Sequence, residues 1–194
     1  MIFVKSDDLK TGMRIARPIY NKNGVLLYER NSKLTVQGMN SIKNFGLLGI
    51  FVLEPAEPVP PMTKDDIEFE RFQTMCVFSI QEELHQIIPK SRYAKKQTIV
   101  ANIIKNYGHL DRKISFQQNL RSKEDYFYKH ALNVAILCAM IAHMMKASVS
   151  EQLDAVTAAV VHDIGKLSAP KSLMMQDKWT EAEREQMRNA EVAG

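Results

Sequence analysis

Four prolines fall within eight residues at Pro55, Pro58, Pro60 and Pro61. Proline fixes φ and has no amide hydrogen, so this run can neither continue a helix nor sit inside a sheet; it is an extended, semi-rigid spacer. It divides the chain into segments with different hydrophobic patterns. Residues 1–53 form a small β-rich accessory module and residues 54–64 the spacer. Residues 65–122 form a helical connecting region, and residues 123–194 a further helical domain.

Within the first module, residues 14–20 and 25–28 flank Asn21-Lys22-Asn23-Gly24, where Asn-Gly supplies the positive φ of a tight hairpin turn. Pro18 pushes the first of these strands towards an edge or a bulge. Residues 34–45 carry Met39, Ile42 and Phe45 at helical spacing, and Gly46 is a stop signal. Residues 50–53 are a short β-branched and aromatic strand.

After the prolines the pattern is helical. Thr63 caps a helix whose apolar positions Phe69, Phe72, Cys76, Ile80, Leu84 and Ile87 step by three and four. Residues 99–107 give a second helix ending near Gly108, and residues 124–146 a third. Ser148 with Glu151 forms a capping box that opens a fourth; Thr180 with Glu183 opens a fifth. Each apolar stripe needs another for burial, so a helical bundle follows.

With 45% hydrophobic and 25% charged residues in 194, the chain has the composition of a globular protein. Cys76 and Cys138 stand in no metal-ligand or redox spacing, as in a protein of a reducing compartment. Asp7 and Asp8 interrupt what a signal peptide would keep apolar. The densest apolar stretch, residues 134–142, is half of a membrane span, so the expectation is a cytoplasmic protein without a membrane partner.

Charge is uneven. Residues 54–89 hold 2 basic against 8 acidic side chains, and residues 90–123 hold 9 against 1. Lys90, Arg92, Lys95, Lys96, Arg112, Lys113 and Arg121 could meet an anion, but no aromatic residues alternate with them to stack bases. They read as a solvated face rather than a nucleic-acid site.

Chemistry concentrates at His162-Asp163-Ile164-Gly165-Lys166, which follows the apolar run of residues 155–161. Burying such charges unpaired costs several kcal/mol. Metal coordination offsets that cost, because neutral His offers a nitrogen ligand and a carboxylate can bridge two ions. The alternatives are a buried His–Asp pair, or a helix C-terminus with Lys166 beside its carbonyls and Gly165 as a left-handed stop.

The surrounding residues carry a resemblance. Tyr128-Lys129-His130-Ala131-Leu132-Asn133-Val134-Ala135, residues 160–167 with Pro170, and Trp179-Thr180 through Glu185-Gln186-Met187 are similar to the first half of an HD-GYP domain. That family belongs to the HD superfamily of metal-dependent phosphohydrolases, and its known members hydrolyse cyclic di-GMP. Leu9-Lys10-Thr11-Gly12-Met13 and Asn23-Gly24-Val25-Leu26-Leu27 resemble the accessory module often found ahead of such domains.

The resemblance implies a mainly α fold, a helical bundle of HD-superfamily type preceded by a small α+β module. It implies His130 and His162 as metal ligands, Asp163 as a bridging carboxylate and catalytic group, and Lys166 as a catalytic residue near the scissile phosphate. The implied cofactors are divalent metal ions, iron, manganese or similar, in a dinuclear centre; the implied partner is cyclic di-GMP or a related nucleotide. Two ions about 3.5–4 Å apart polarise a phosphoryl group and supply hydroxide, and an ammonium stabilises the developing charge. His143 lies thirteen residues after His130, about 220° round a helix, and faces elsewhere. His85 and His109 sit in no ligand spacing.

Three departures qualify this. Counting from Thr180, the family's next metal-binding His falls at Ala190, which cannot ligate. Tyr126 stands where three-metal members carry a glutamate, pointing to a two-metal design. The sequence also stops at Gly194, before the family's paired histidines, final aspartate and Gly-Tyr-Pro signature. The expectation is therefore a phosphodiesterase that is catalytically incomplete as this chain, either as a fragment or as a degenerate module used for signalling. That module could dimerise through the helix at residues 65–88. Another HD-superfamily nucleotide phosphohydrolase is the remaining alternative.

Overall fold

The structure, a computed structural model, describes residues 1–87, 98–110, 122, 123, 125–176 and 178–193, without the side chains of residues 85–87, 171 and 193. The described residues fall into two compact units, with residues 1–78 in the first and nearly all that follow in the second. The basic residues singled out between 90 and 121 lie outside the described residues.

The first unit is the small α+β module. Its strands are β1 (Ile2–Lys5), β2 (Arg14–Ile15), β3 (Ile19–Tyr20), β4 (Leu26–Tyr28) and β5 (Gly49–Leu53), with helix α1 (Val36–Asn44) between the last two. β5 is the centre of a three-stranded antiparallel sheet in the order β1-β5-β2, with Ile2 opposite Val52 and Ile15 opposite Val52 from the other side. β3 and β4 form a separate two-stranded ribbon with a register shift at Ile19/Tyr20.

The single strand expected over residues 14–20 is thus two. Pro18 lies at the break, where a missing donor ends pairing with one sheet before the chain joins another. The Asn-Gly turn is as expected. Gly24 has φ +73°, and the Asn21 side chain accepts from the amides of Asn23 and Val25, each at 3.0 Å. Strand β1 was not foreseen. Its three apolar residues carry no turn signal, and only the free edge of β5 makes them a strand.

Helix α1 starts at the Thr35 cap, whose hydroxyl accepts from the Gly38 amide, and Gly46 with φ +73° stops it. Ile42 is buried beneath it with Ile15, Leu34, Ile50 and Val52, whereas Phe45, expected on the same face, is exposed. The proline run is tied to this module. Arg14 donates to the carbonyls of Pro55 (3.1 Å) and Glu57 (2.6 Å), and Arg30 to that of Pro60 (2.7 Å). Backbone oxygens without a sheet partner are satisfied by guanidinium groups instead.

Helix α2 (Lys64–Ile87) opens where Thr63 was expected to cap it, through reciprocal bonds between Thr63 and Asp66. Its Glu70 pairs with Arg17 at 2.8 Å, the two side chains being only 16% and 8% exposed. Burial pushes the Cys76 thiol up to about 12, which keeps it an inert apolar residue.

The second unit is helical. α3 (Thr98–Tyr107), α4 (Tyr126–Met144) and α5 (Val149–Val161) pack against one another around Ile103, Leu132, Ile136, Val156 and Val160. Alanines 131, 135, 139 and 142 on α4 are buried, and small side chains permit close approach of its neighbours. By length and composition α4 would suit a membrane span, but 61% of that window is buried inside the protein, as in a core helix. Beyond α5 come a 3-10 turn (Ile164–Ser168), the short α6 (Lys171–Met174) and α7 (Glu181–Ala193). A small core of Ala169, Leu173 and Met187 joins these last elements, with Trp179 donating to the Leu173 carbonyl at 2.8 Å. The fold is therefore mainly α, with a small α+β module ahead of it.

Both capping boxes form. Ser148 and Glu151 satisfy each other's amides at the start of α5, as do Thr180 and Glu183 at the start of α7. Hydrogen bonds from the Ser148 side chain and amide hold the Glu151 carboxyl below its ordinary value of 4.5. A depressed carboxyl stabilises the fold above that value, and the contribution disappears as pH falls through the lower folded one. The stability gap between the parent and Ser148→Ala is therefore largest at neutral pH and narrows below pH 4.5, as urea melts across that range would show. Arg17→Met removes the guanidinium paired with the shielded Glu70 carboxylate and is expected to cost about 3 kcal/mol in the same melts, more than the double change Arg17→Met with Glu70→Leu.

Candidate metal centre

The end of α5 decides where the chemistry sits. The helix stops at His162, whose ring nitrogen Nδ1 lies 2.8 Å from the Ala159 carbonyl. A carbonyl can only accept, so Nδ1 carries the proton, and in the neutral ring Nε2 keeps its lone pair. That Nε2 is 3.3 Å from Asp163 Oδ2. From α4, His130 brings its own Nε2 to 3.8 Å from the same oxygen. The two imidazoles meet edge to face, with centroids 5.3 Å apart.

His130, His162 and Asp163 each present a ligand atom within 4.8 Å of the others, and together they could hold a metal ion. Nitrogen and oxygen atoms bound to one ion at about 2.0–2.2 Å lie roughly 3–3.5 Å apart. The His162–Asp163 spacing already falls in that range, and His130 must move closer to Asp163, from which its Nε2 now stands 3.8 Å. The donor set of two imidazoles and one carboxylate suits zinc, iron or manganese. The residues therefore fit a divalent ion.

Lys166, four residues along the turn from His162, donates to Asp163 Oδ2 at 2.8 Å. Its ammonium also lies 3.2 Å from Glu191 Oε1 of α7. Burial alone would lower the lysine pKa, but the hydrogen bonds to Asp163 and Glu191 outweigh it and hold the value above 10.5. The ammonium is thus charged at any physiological pH.

All four residues singled out in the sequence, His130, His162, Asp163 and Lys166, come together. His109 is exposed and His143 is half-buried at the far end of α4; neither joins the group. The side chain of His85 lies outside the described residues. Tyr126 stacks flat on the His130 ring, with centroids 5.7 Å apart and planes 3° from parallel. It covers the imidazole and offers no carboxylate.

Three features were missed. Glu191 carries no motif of its own and is found only through its contact with Lys166. Lys129, beside His130, forms a shielded pair with Asp125 at 2.9 Å that steadies the first turn of α4, and the i,i+4 spacing of acid and lysine was a usable signal. Gly165 is the third, and the alternative that made it a left-handed stop does not hold. Its φ is not positive, so it is no left-handed stop. A Cβ there would lie 2.2 Å from the Ala190 carbonyl oxygen and 2.9 Å from Glu191 Cα. Glycine is needed because the backbone of α7 presses on the turn.

Ala190 packs against the small core, and its carbonyl lies against Gly165. Gly165→Ala should lower stability by about 1–3 kcal/mol, since a helix backbone rather than a flexible side chain must move. Thermal and urea unfolding would register this. A neutral outcome would mean that α7 does not press on the turn.

Residues 100–193 match the model of the family described as HDOD domain. Neither curated proteins nor solved structures provide a match to the chain. The family match, the helical packing and the His-Asp group at the end of α5 agree: residues 100–193 form an HD-like domain.

Proposed function

We propose that this chain is a signalling module of the HD superfamily. In this reading its His130–His162–Asp163 group holds one divalent ion, and with Lys166 it receives a phosphate of cyclic di-GMP or a related nucleotide without turning it over. The observation that carries the reading is the convergence of two imidazoles and an ammonium on one carboxylate. That arrangement supplies three ligands and a neighbouring ammonium for a phosphate oxygen. A bound divalent ion would contribute Lewis acidity towards that phosphate.

The substitution at position 190 supports binding without hydrolysis. A dinuclear centre normally requires more inner-sphere ligands than three, and α7 brings Ala190 to the turn where the HD-GYP resemblance places another histidine.

Calorimetric titration with Mn2+ or Zn2+ tests the metal part. One ion per chain is expected, and His162→Ala or Asp163→Ala should weaken it by roughly 100-fold or more. Equal binding by parent and both variants would end the assignment. Incubation of metal-loaded protein with cyclic di-GMP, followed by chromatography, tests the rest. Nucleotide binding that depends on the metal, with no product, is expected. Steady turnover lost in both variants would instead make the chain a phosphodiesterase.

A further inference from the structure

Asp163 Oδ2 is the most contested atom in the molecule. Lys166 Nζ holds it at 2.8 Å, nearer than the imidazole nitrogens at 3.3 and 3.8 Å. An ion entering between the imidazoles needs this same oxygen, and two cations on one oxygen repel. The repulsion weakens the ammonium's hold on Asp163 once a divalent ion shares that oxygen, and a second carboxylate within reach draws it away.

It has somewhere to go. Glu191 Oε1 is already 3.2 Å from Nζ, so the lysine can give up one carboxylate without becoming an unpaired charge. Glu191 is held there by the backbone of α7, whose Ala190 and Glu191 press on Gly165 one residue before the lysine. It is also farther into solvent than Asp163, with 42% of its side chain exposed against 16%, so the pair would cost less to maintain.

We propose that Lys166 is a tethered cation occupying the metal-binding carboxylate, and that Glu191 is a positioning residue that receives it when a divalent ion takes Asp163. This rests on the metal reading above and adds its regulation. Metal affinity is set by an exchange between two cations rather than by the three ligands alone. Whatever moves α7 changes that affinity, because Glu191 travels with the helix.

A double-mutant cycle read by Mn2+ titration near pH 7.5 tests the exchange, using the full chain as parent, Lys166→Met, Glu191→Gln and the double variant. Removing the competitor in Lys166→Met, and again in Lys166→Gln, should tighten Mn2+ binding roughly tenfold or more. Glu191→Gln should weaken it several-fold in the presence of Lys166 and leave it unchanged in the Lys166→Met background. An equal loss in both backgrounds would show that Glu191 acts only as a nearby negative charge, and the positioning role would be gone. Unchanged affinity in both lysine variants would sink the competition itself while leaving the metal site standing. If neither the parent nor Lys166→Met takes up Mn2+, the exchange falls together with the metal reading.

Discussion

A single carboxylate oxygen organises the C-terminal domain. Asp163 Oδ2 faces two imidazoles and an ammonium, and each arrives on a different structural warrant. His162 is placed by the last turn of α5 and held in one tautomer by a backbone carbonyl. His130 comes from a turn of α4 steadied by a shielded Lys129–Asp125 pair. Lys166 is carried by the 3-10 turn. Removing the acid would leave the three nitrogen groups without their common partner.

The turn itself depends on packing at one remove. α7 approaches so closely that only glycine fits at position 165, and this approach lays Glu191 beside Lys166. The helix is anchored at its other end by the Thr180–Glu183 box and in its middle by Met187 in the small core with Leu173. Capping, core and close contact thus act together to set one side chain near one ammonium. The residue that the HD-GYP resemblance would read as a lost ligand, Ala190, gains a structural account: its backbone is the surface against which the turn rests.

Much of the fold was legible because its signals are local. Reciprocal caps at Thr63, Ser148 and Thr180, the glycine stop at Gly46 and the Asn-Gly turn at residues 23–24 each depend on a few neighbouring residues, and each forms as read. The errors fell where a distant partner decides. β1 exists only because β5 offers it an edge, and the strand over residues 14–20 divides because two different sheets claim its halves. Phe45 falls at the helical spacing of Ile42 yet stays exposed, since α1 ends at Asn44 and Phe45 is its C-cap. The proline run read as an extended spacer, but it opens with a turn closed by the Glu57 amide on the Glu54 carbonyl, and arginines of the preceding module bind its carbonyls.

The same division holds at the site. By itself the order of residues singled out the candidate groups: His130, His162, Asp163 and Lys166 are marked by a motif and by polar side chains at the end of an apolar run. Whether they meet was decided only in three dimensions, by α4 and α5 packing through alanines until two imidazoles 32 positions apart stand edge to face. Glu191 and the true reason for Gly165 belonged wholly to the tertiary structure. A contact between a turn and a helix more than twenty residues away leaves no periodicity, cap or spacing in the chain, because neither partner's local conformation requires the other.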